Sequence, residues 1–212
     1  MLTFVLMNDN WIRFAYWAAA SNWELWREDF EFRGNIKGLP VLKNPTRYEQ
    51  FLREYASLRG TARHEAETLK SWLLIHPNHL NKAIQSADGT GIDDLANHLR
   101  QEFPSLGGRQ ISFVSKLAVF ARPGVFIAWD QYARKGVAKL TGGRRDGNYP
   151  SYCDYLKAVD TLWNGDLGRT IWAYIAKKPI PTRQRVAFAL RVFDIYLMIQ
   201  GGRAPWRQFL GD

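Results

Sequence analysis

Hydrophobic residues recur at intervals of three and four along most of the chain, which is the spacing of one face of an α-helix. Between residues 92 and 103 the pattern places Ile92, Leu95, Ala96 and Leu99 on one face. The same spacing predicts further helices near residues 10–25, 45–59, 61–75, 111–121, 131–140, 152–162, 169–176 and 182–199. The longest of them would turn these residues inward: Val186, Ala189, Leu190, Phe193 and Leu197. We therefore expect a mainly α fold over residues 1–212, in one compact domain or two lobes.

Glycine and proline divide these helices at informative points. Gly107 and Gly108 separate the helix at 92–103 from the next one, which predicts a helix-hairpin-helix at about residues 92–121. Pro123 then marks a bend, and Asp130 directly precedes another helical pattern. Aspartate is a favoured N-cap residue because its carboxylate accepts hydrogen bonds from the first free amides of a helix.

The second helix of the hairpin has one lysine among apolar residues. An apolar stripe runs along it, and Lys116 lies on another, less apolar side between Phe113 and Phe120. A lysine between phenyl rings is partly removed from water, which disfavours the ammonium form, and the neutral amine is a nucleophile. The alternative is an ordinary lysine with its stem on the core and its charge in water.

Asp130 complements this lysine chemically. Amides at the start of a helix stabilise an ionised carboxylate, and such a group can stabilise a positively charged sugar in a transition state. Because the bend at Pro123 returns the chain, we expect Lys116 and Asp130 to face one pocket. The alternative is that Asp130 is only a helix cap.

The amino-acid composition limits the class of protein and the kinds of partner that it can bind. The chain has 46% hydrophobic and 14% aromatic residues, which excludes a disordered protein. Its net charge of +9 favours a polyanion such as nucleic acid. A single cysteine and no apolar run long enough to span a bilayer favour a cytoplasmic protein without disulfides. His76 and His79 are expected in a loop at a helix end, since Pro77 interrupts their spacing, and we expect neither a metal nor another cofactor.

Two segments resemble a known family. Residues 111–117 (ISFVSKL) are similar to the catalytic-lysine helix of the helix-hairpin-helix DNA glycosylases, and residues 123–130 (PGVFIAWD) to the loop that ends in their catalytic aspartate. The branch that they resemble most is that of the archaeal and prokaryotic 8-oxoguanine glycosylases. The resemblance implies a two-lobed helical fold in which Lys116 forms a Schiff base and Asp130 stabilises charge and deprotonates the amine.

The same resemblance suggests how DNA would bind. Backbone amides at Gly107 and Gly108, with Arg109 beside them, would contact a phosphate, and Arg144 and Arg145 in a glycine-rich loop suit further phosphates. An ordinary interhelical turn and a solvated loop are the alternatives. An extruded base needs stacking faces and a polar edge contact. The candidates for this base pocket are Trp17, Phe113, Trp129, Phe193 and Asp194.

The sequence thus predicts a monomeric prokaryotic enzyme that removes a modified base from double- or single-stranded DNA, with or without a lyase step at the resulting abasic site. One alternative is a non-catalytic DNA-binding or sensing module of the same fold, for example in defence against phage. Another is a basic helical protein that binds an acidic protein partner, which would show no steep salt dependence of DNA affinity.

Overall fold

The computed structural model describes residues 9–31, 68–69, 71–72, 75–104, 110–143 and 146–204. These residues form eight helices with defined bounds and further helical turns between residues 68 and 75, without any strand, so the protein is mainly α as predicted. The helices are α1 (Asp9–Glu31), α2 (Pro77–Ala83), α3 (Thr90–Glu102), α4 (Gln110–Ala121), α5 (Gln131–Thr141), α6 (Tyr152–Asn164), α7 (Asp166–Ala176) and α8 (Thr182–Gln200).

The helix bounds agree with the hydrophobic pattern to within a few residues, with two differences. α1 continues to Glu31, beyond the end expected near residue 25. His79 belongs to helix α2, which begins at Pro77, because proline suits the first turn of a helix. The expectation of a loop at this position was therefore wrong. Of the helix predicted at 61–75, the described residues 68, 69, 71, 72 and 75 are helical, and the helix predicted at 45–59 lies outside the described residues.

The chain divides into two compact units. The first unit comprises residues 1–28, 130–150 and 154–212, and the second comprises residues 29–129 and 151–153. Within the described ranges, every helix is too short or too polar to cross a bilayer.

The first unit is built around α8, which is buried over most of its length. α5 packs on it so closely that a Cβ at Gly136 would lie 1.9 Å from the carbonyl oxygen of Leu197. The contact is reciprocal, since a Cβ at Gly201 would lie 1.8 Å from the carbonyl oxygen of Tyr132. Glycine is therefore required at both positions. Val186 is 48% exposed, so its predicted inward position was wrong, whereas the other four predicted core residues of α8 are buried.

The second unit is organised around α3, whose predicted inward face is buried. The Asp93 carboxylate accepts hydrogen bonds from the backbone amides of Tyr152 (2.7 Å) and Cys153 (2.9 Å). These hydrogen bonds hold residues 151–153 in the second unit, although these residues are distant in sequence from α3. Gly89, with φ of 86°, leaves room for the Tyr152 ring, because a Cβ there would lie 2.8 Å from it.

Candidate functional site

Helix α4 is buried on nearly every side. Its one lysine, Lys116, is only 8% exposed, and the two phenyl rings that flank it in the sequence, Phe113 and Phe120, are 5% and 2% exposed. The sequence predicted an apolar stripe and a less apolar side, yet residues of both sides are buried. The side chain of Lys116 is therefore almost entirely removed from water.

The chain after α4 reverses in a tight turn at Arg122, Pro123, Gly124 and Val125. Proline occupies the second position of the turn and Gly124, with φ of 87°, the third, while the Val125 amide donates to the Arg122 carbonyl at 3.2 Å. Proline followed by a glycine of positive φ is typical of a type II turn. The predicted bend at Pro123 is therefore confirmed.

After this turn the segment 126–129 returns alongside α4. The backbone amide of Trp129 donates a hydrogen bond to the Ser115 hydroxyl at 2.9 Å, and that hydroxyl donates to the carbonyl of Ser112 at 3.1 Å. Ser115 is fully buried. The residue next to Lys116 therefore fixes the backbone of the residue next to Asp130.

A second contact fixes the same segment. The hydroxyl of the fully buried Tyr152 donates to the Ile127 carbonyl at 2.6 Å, and the Ile127 amide donates back to that hydroxyl at 3.3 Å. The partly exposed Trp129 ring lies 6.2 Å from the Tyr152 ring. Ser115 and Tyr152 were not singled out from the sequence, because nothing local to them indicates which backbone groups they contact.

Asp130 is the N-cap of α5, as predicted. Its backbone is extended, with φ of −106° and ψ of 141°, and its carboxylate accepts hydrogen bonds from the amides of Tyr132 (2.8 Å) and Ala133 (3.3 Å). The Arg134 guanidinium follows on the same helix and donates to the Gly147 carbonyl at 2.8 Å. Desolvation lowers the pKa of Arg134, and the charge of Asp130 is among those that oppose this shift.

Asp194, a candidate for the base pocket, lies in the core of the first unit with 3% exposure. One carboxylate oxygen forms an ion pair with Arg191, and the other, Oδ1, is buried and accepts no hydrogen bond from the described residues. Burial raises the pKa of Asp194 to about 6, and the negative charge of Asp130 acts in the same direction. Arg191 and Arg203 oppose the rise. The carboxylate of Asp130 thus accepts hydrogen bonds at the start of a helix, whereas that of Asp194 is buried in the core.

The remaining predicted residues are in varied surroundings. Phe193 is fully buried, with its ring 5.2 Å from the Trp163 ring, whereas Trp17 is 59% exposed on α1. Their use in a base pocket, like that of Phe113 and Trp129, stays a prediction. The predicted DNA contacts lie outside the described residues: Gly107, Gly108, Arg109, Arg144 and Arg145.

A histidine cluster in the second unit was not given a function from the sequence. The rings of His79 and His98 stack with centroids 4.9 Å apart, and Trp72 contacts both of them and His76. His79 and His98 border an open cavity of about 430 Å³, which Lys82 also lines. Desolvation, then the charges of His98, His76 and Lys82, lower the pKa of His79. Among the described residues, no three metal-ligating side chains are arranged to hold a metal ion.

No protein-family model, curated protein or solved structure matches this chain.

Proposed function

We propose that this protein is a DNA glycosylase that uses Lys116 as nucleophile and Asp130 as its acidic partner. The supporting observation is the hydrogen bond between the Trp129 amide and Ser115, since it fixes the backbone next to each of the two residues. The burial of Lys116 adds to this, because an exposed lysine would be protonated and solvated. The net charge of +9 suits a polyanionic substrate.

The proposed reaction begins with a nucleotide extruded from the DNA. The neutral Lys116 amine attacks C1′ of the sugar, the glycosidic bond breaks, and its electron pair leaves with the base, which takes up a proton. The Asp130 carboxylate stabilises the positive charge that develops on the sugar. It then accepts a proton from the nitrogen now bound to C1′.

The bound sugar next opens to a Schiff base. The nitrogen lone pair forms the C1′=N bond, the bond between C1′ and the ring oxygen breaks, and that oxygen takes the proton from Asp130. The resulting iminium acidifies the neighbouring C2′ proton, and loss of that proton would permit strand cleavage at the 3′ phosphate. In this proposal the phosphates are contacted by Gly107, Gly108, Arg109, Arg144 and Arg145. The substrate is 8-oxoguanine or another modified base.

The test is covalent trapping. Wild-type protein is incubated with duplexes that each contain one modified base, in the presence of borohydride, which reduces the Schiff base to a stable amine. We expect an adduct with at least one duplex, and loss of that adduct in Lys116→Met, whose apolar side chain suits a buried position. Lys157→Met, at an exposed lysine, is the matched control.

Asp130 is tested without disturbing the helix cap, because asparagine caps a helix about as well as aspartate. We expect Asp130→Asn to unfold at the wild-type temperature and to release base at least about a hundredfold more slowly, as when one stabilising group is removed from a developing charge. DNA binding without adduct or base release on any duplex would refute the enzyme and favour a non-catalytic binding module. Strand cleavage measured without borohydride reports the lyase step.

A further inference from the structure

An exposed aromatic surface on α1 lies within the first unit and is not needed for the proposed chemistry. Trp17 is 59% exposed and Phe14 is 45% exposed, one helical turn apart. The half-buried Trp11 ring continues the row, with its centroid 5.7 Å from that of Phe14. The opposite face of α1 is buried through Ile12 and Ala15. The large exposed apolar side chains of the described part of α1 are thus all aromatic.

The surface is anchored on its inner side. The Trp17 ring meets the Tyr16 ring edge-on at 5.4 Å, and Tyr16 in turn contacts Tyr174 at 5.6 Å and Phe188 at 5.7 Å. Tyr16 is only 9% exposed. The indole of Trp17 is therefore supported by a buried ring, which lowers the entropy that it loses on binding a partner.

Positive charge lies beside these rings. The Lys178 ammonium is 4.5 Å from the Tyr174 ring centre and 5.2 Å from that of Tyr16. Arg13 is exposed on α1 next to Phe14, and Lys177 is exposed after α7. Asp9, one turn before Arg13, is the one acidic residue among the described side chains of α1. The surface therefore combines flat apolar faces with a predominance of cations.

We propose that this surface, formed by Trp11, Arg13, Phe14, Trp17 and Lys178, binds an unpaired nucleic acid strand. Flat rings stack on bases of any sequence, while neighbouring cations neutralise the phosphates. Rings at residues 11, 14 and 17 follow one another at about 4.5 Å along the helix axis. An unpaired strand can place one nucleotide on each ring, because the distance between its successive bases can be stretched beyond about 3.4 Å, the repeat of stacked bases. In this proposal Trp17 stacks on a base of the bound strand, and this role replaces the one predicted for it in the base pocket.

The probe is a fluorescently labelled strand of twenty thymidines, which contains no modified base to excise. The inference does not rest on the proposed glycosylase, since the experiment measures strand binding and requires no base release. Trp17→Leu should weaken binding roughly tenfold or more, since one base stack is lost. Trp17→Phe should retain affinity within about threefold. Trp172→Leu, at another exposed tryptophan of the same unit, is the matched control and should bind normally.

The salt dependence tests the role of charge. Arg13→Ala should reduce the slope of log K against log salt by about 0.7, the value for one phosphate contact on a single strand. The inference is overturned if Trp17→Leu binds like the wild type, if Trp172→Leu is equally impaired, or if leucine and phenylalanine at position 17 are equivalent. Binding to phosphatidylglycerol vesicles that requires Trp17, with no binding of the thymidine strand, would assign the surface to membranes and also overturn it. Melting temperatures of all variants verify folding.

Discussion

The buried carboxylate of Asp194 should impose a pH dependence on the stability of the first unit. Its pKa rises from 3.8 to about 6 in the folded protein, mainly because of desolvation. A raised carboxylate pKa means that the folded state holds the proton more tightly than the unfolded state. The contribution of the Asp194 carboxyl group to the free energy of unfolding is therefore fully present below pH 3.8, and it is lost as the pH rises through about 6.

The shift of roughly two pH units corresponds to about 3 kcal/mol over the full range, and to about 1.4 kcal/mol between pH 7 and pH 5. Asparagine has a similar shape and does not titrate in this range. The free energy of unfolding of the wild type should thus increase by about 1.4 kcal/mol more than that of Asp194→Asn when the pH falls from 7 to 5. Other groups titrate in both proteins and cancel in the difference.

The assay is urea denaturation followed by circular dichroism at pH 5, 6 and 7. Asp166→Asn, which removes an exposed carboxylate paired with Arg169, is the control and should parallel the wild type. Arg191→Met should shift the transition to higher pH, because Arg191 opposes the rise in the pKa of Asp194. If Asp194→Asn has the same pH dependence as the wild type, the explanation by burial is refuted.

Three further substitutions test packing and hydrogen bonding through the free energy of unfolding. Gly136→Ala should destabilise the protein by about 3 kcal/mol or more, since its Cβ would overlap the Leu197 carbonyl, and an unchanged midpoint would contradict the α5–α8 contact. Ser115→Ala should cost about 1–3 kcal/mol by removing the acceptor of the Trp129 amide, and a loss below 0.5 kcal/mol would argue against that bond. Gln110→Met should stabilise by about 1 kcal/mol, because the buried Gln110 side-chain amide has no hydrogen-bond partner among the described residues, and destabilisation would disprove this.

The sequence by itself determined most of the described helices, though not α2, and much of their buried faces. Apolar spacing predicted the inward residues of α3, and local chemistry predicted the Asp130 cap and the turn at Pro123. These features depend on residues within a few positions of each other, so periodicity, capping and turn preferences are enough to specify them. Val186 shows the limit of this approach, because an apolar residue at helical spacing is not always covered by a neighbouring element.

Only the tertiary structure decided which distant groups meet. The Ser115 hydroxyl reaches the Trp129 amide, the Asp93 carboxylate reaches residues 152 and 153, and the backbones of Gly136 and Leu197 touch. It also decided the environments of Asp194, which is desolvated, and Trp17, which is exposed. Burial and long-range hydrogen bonding depend on how all the helices pack together, and this packing is not encoded in the spacing along any one helix.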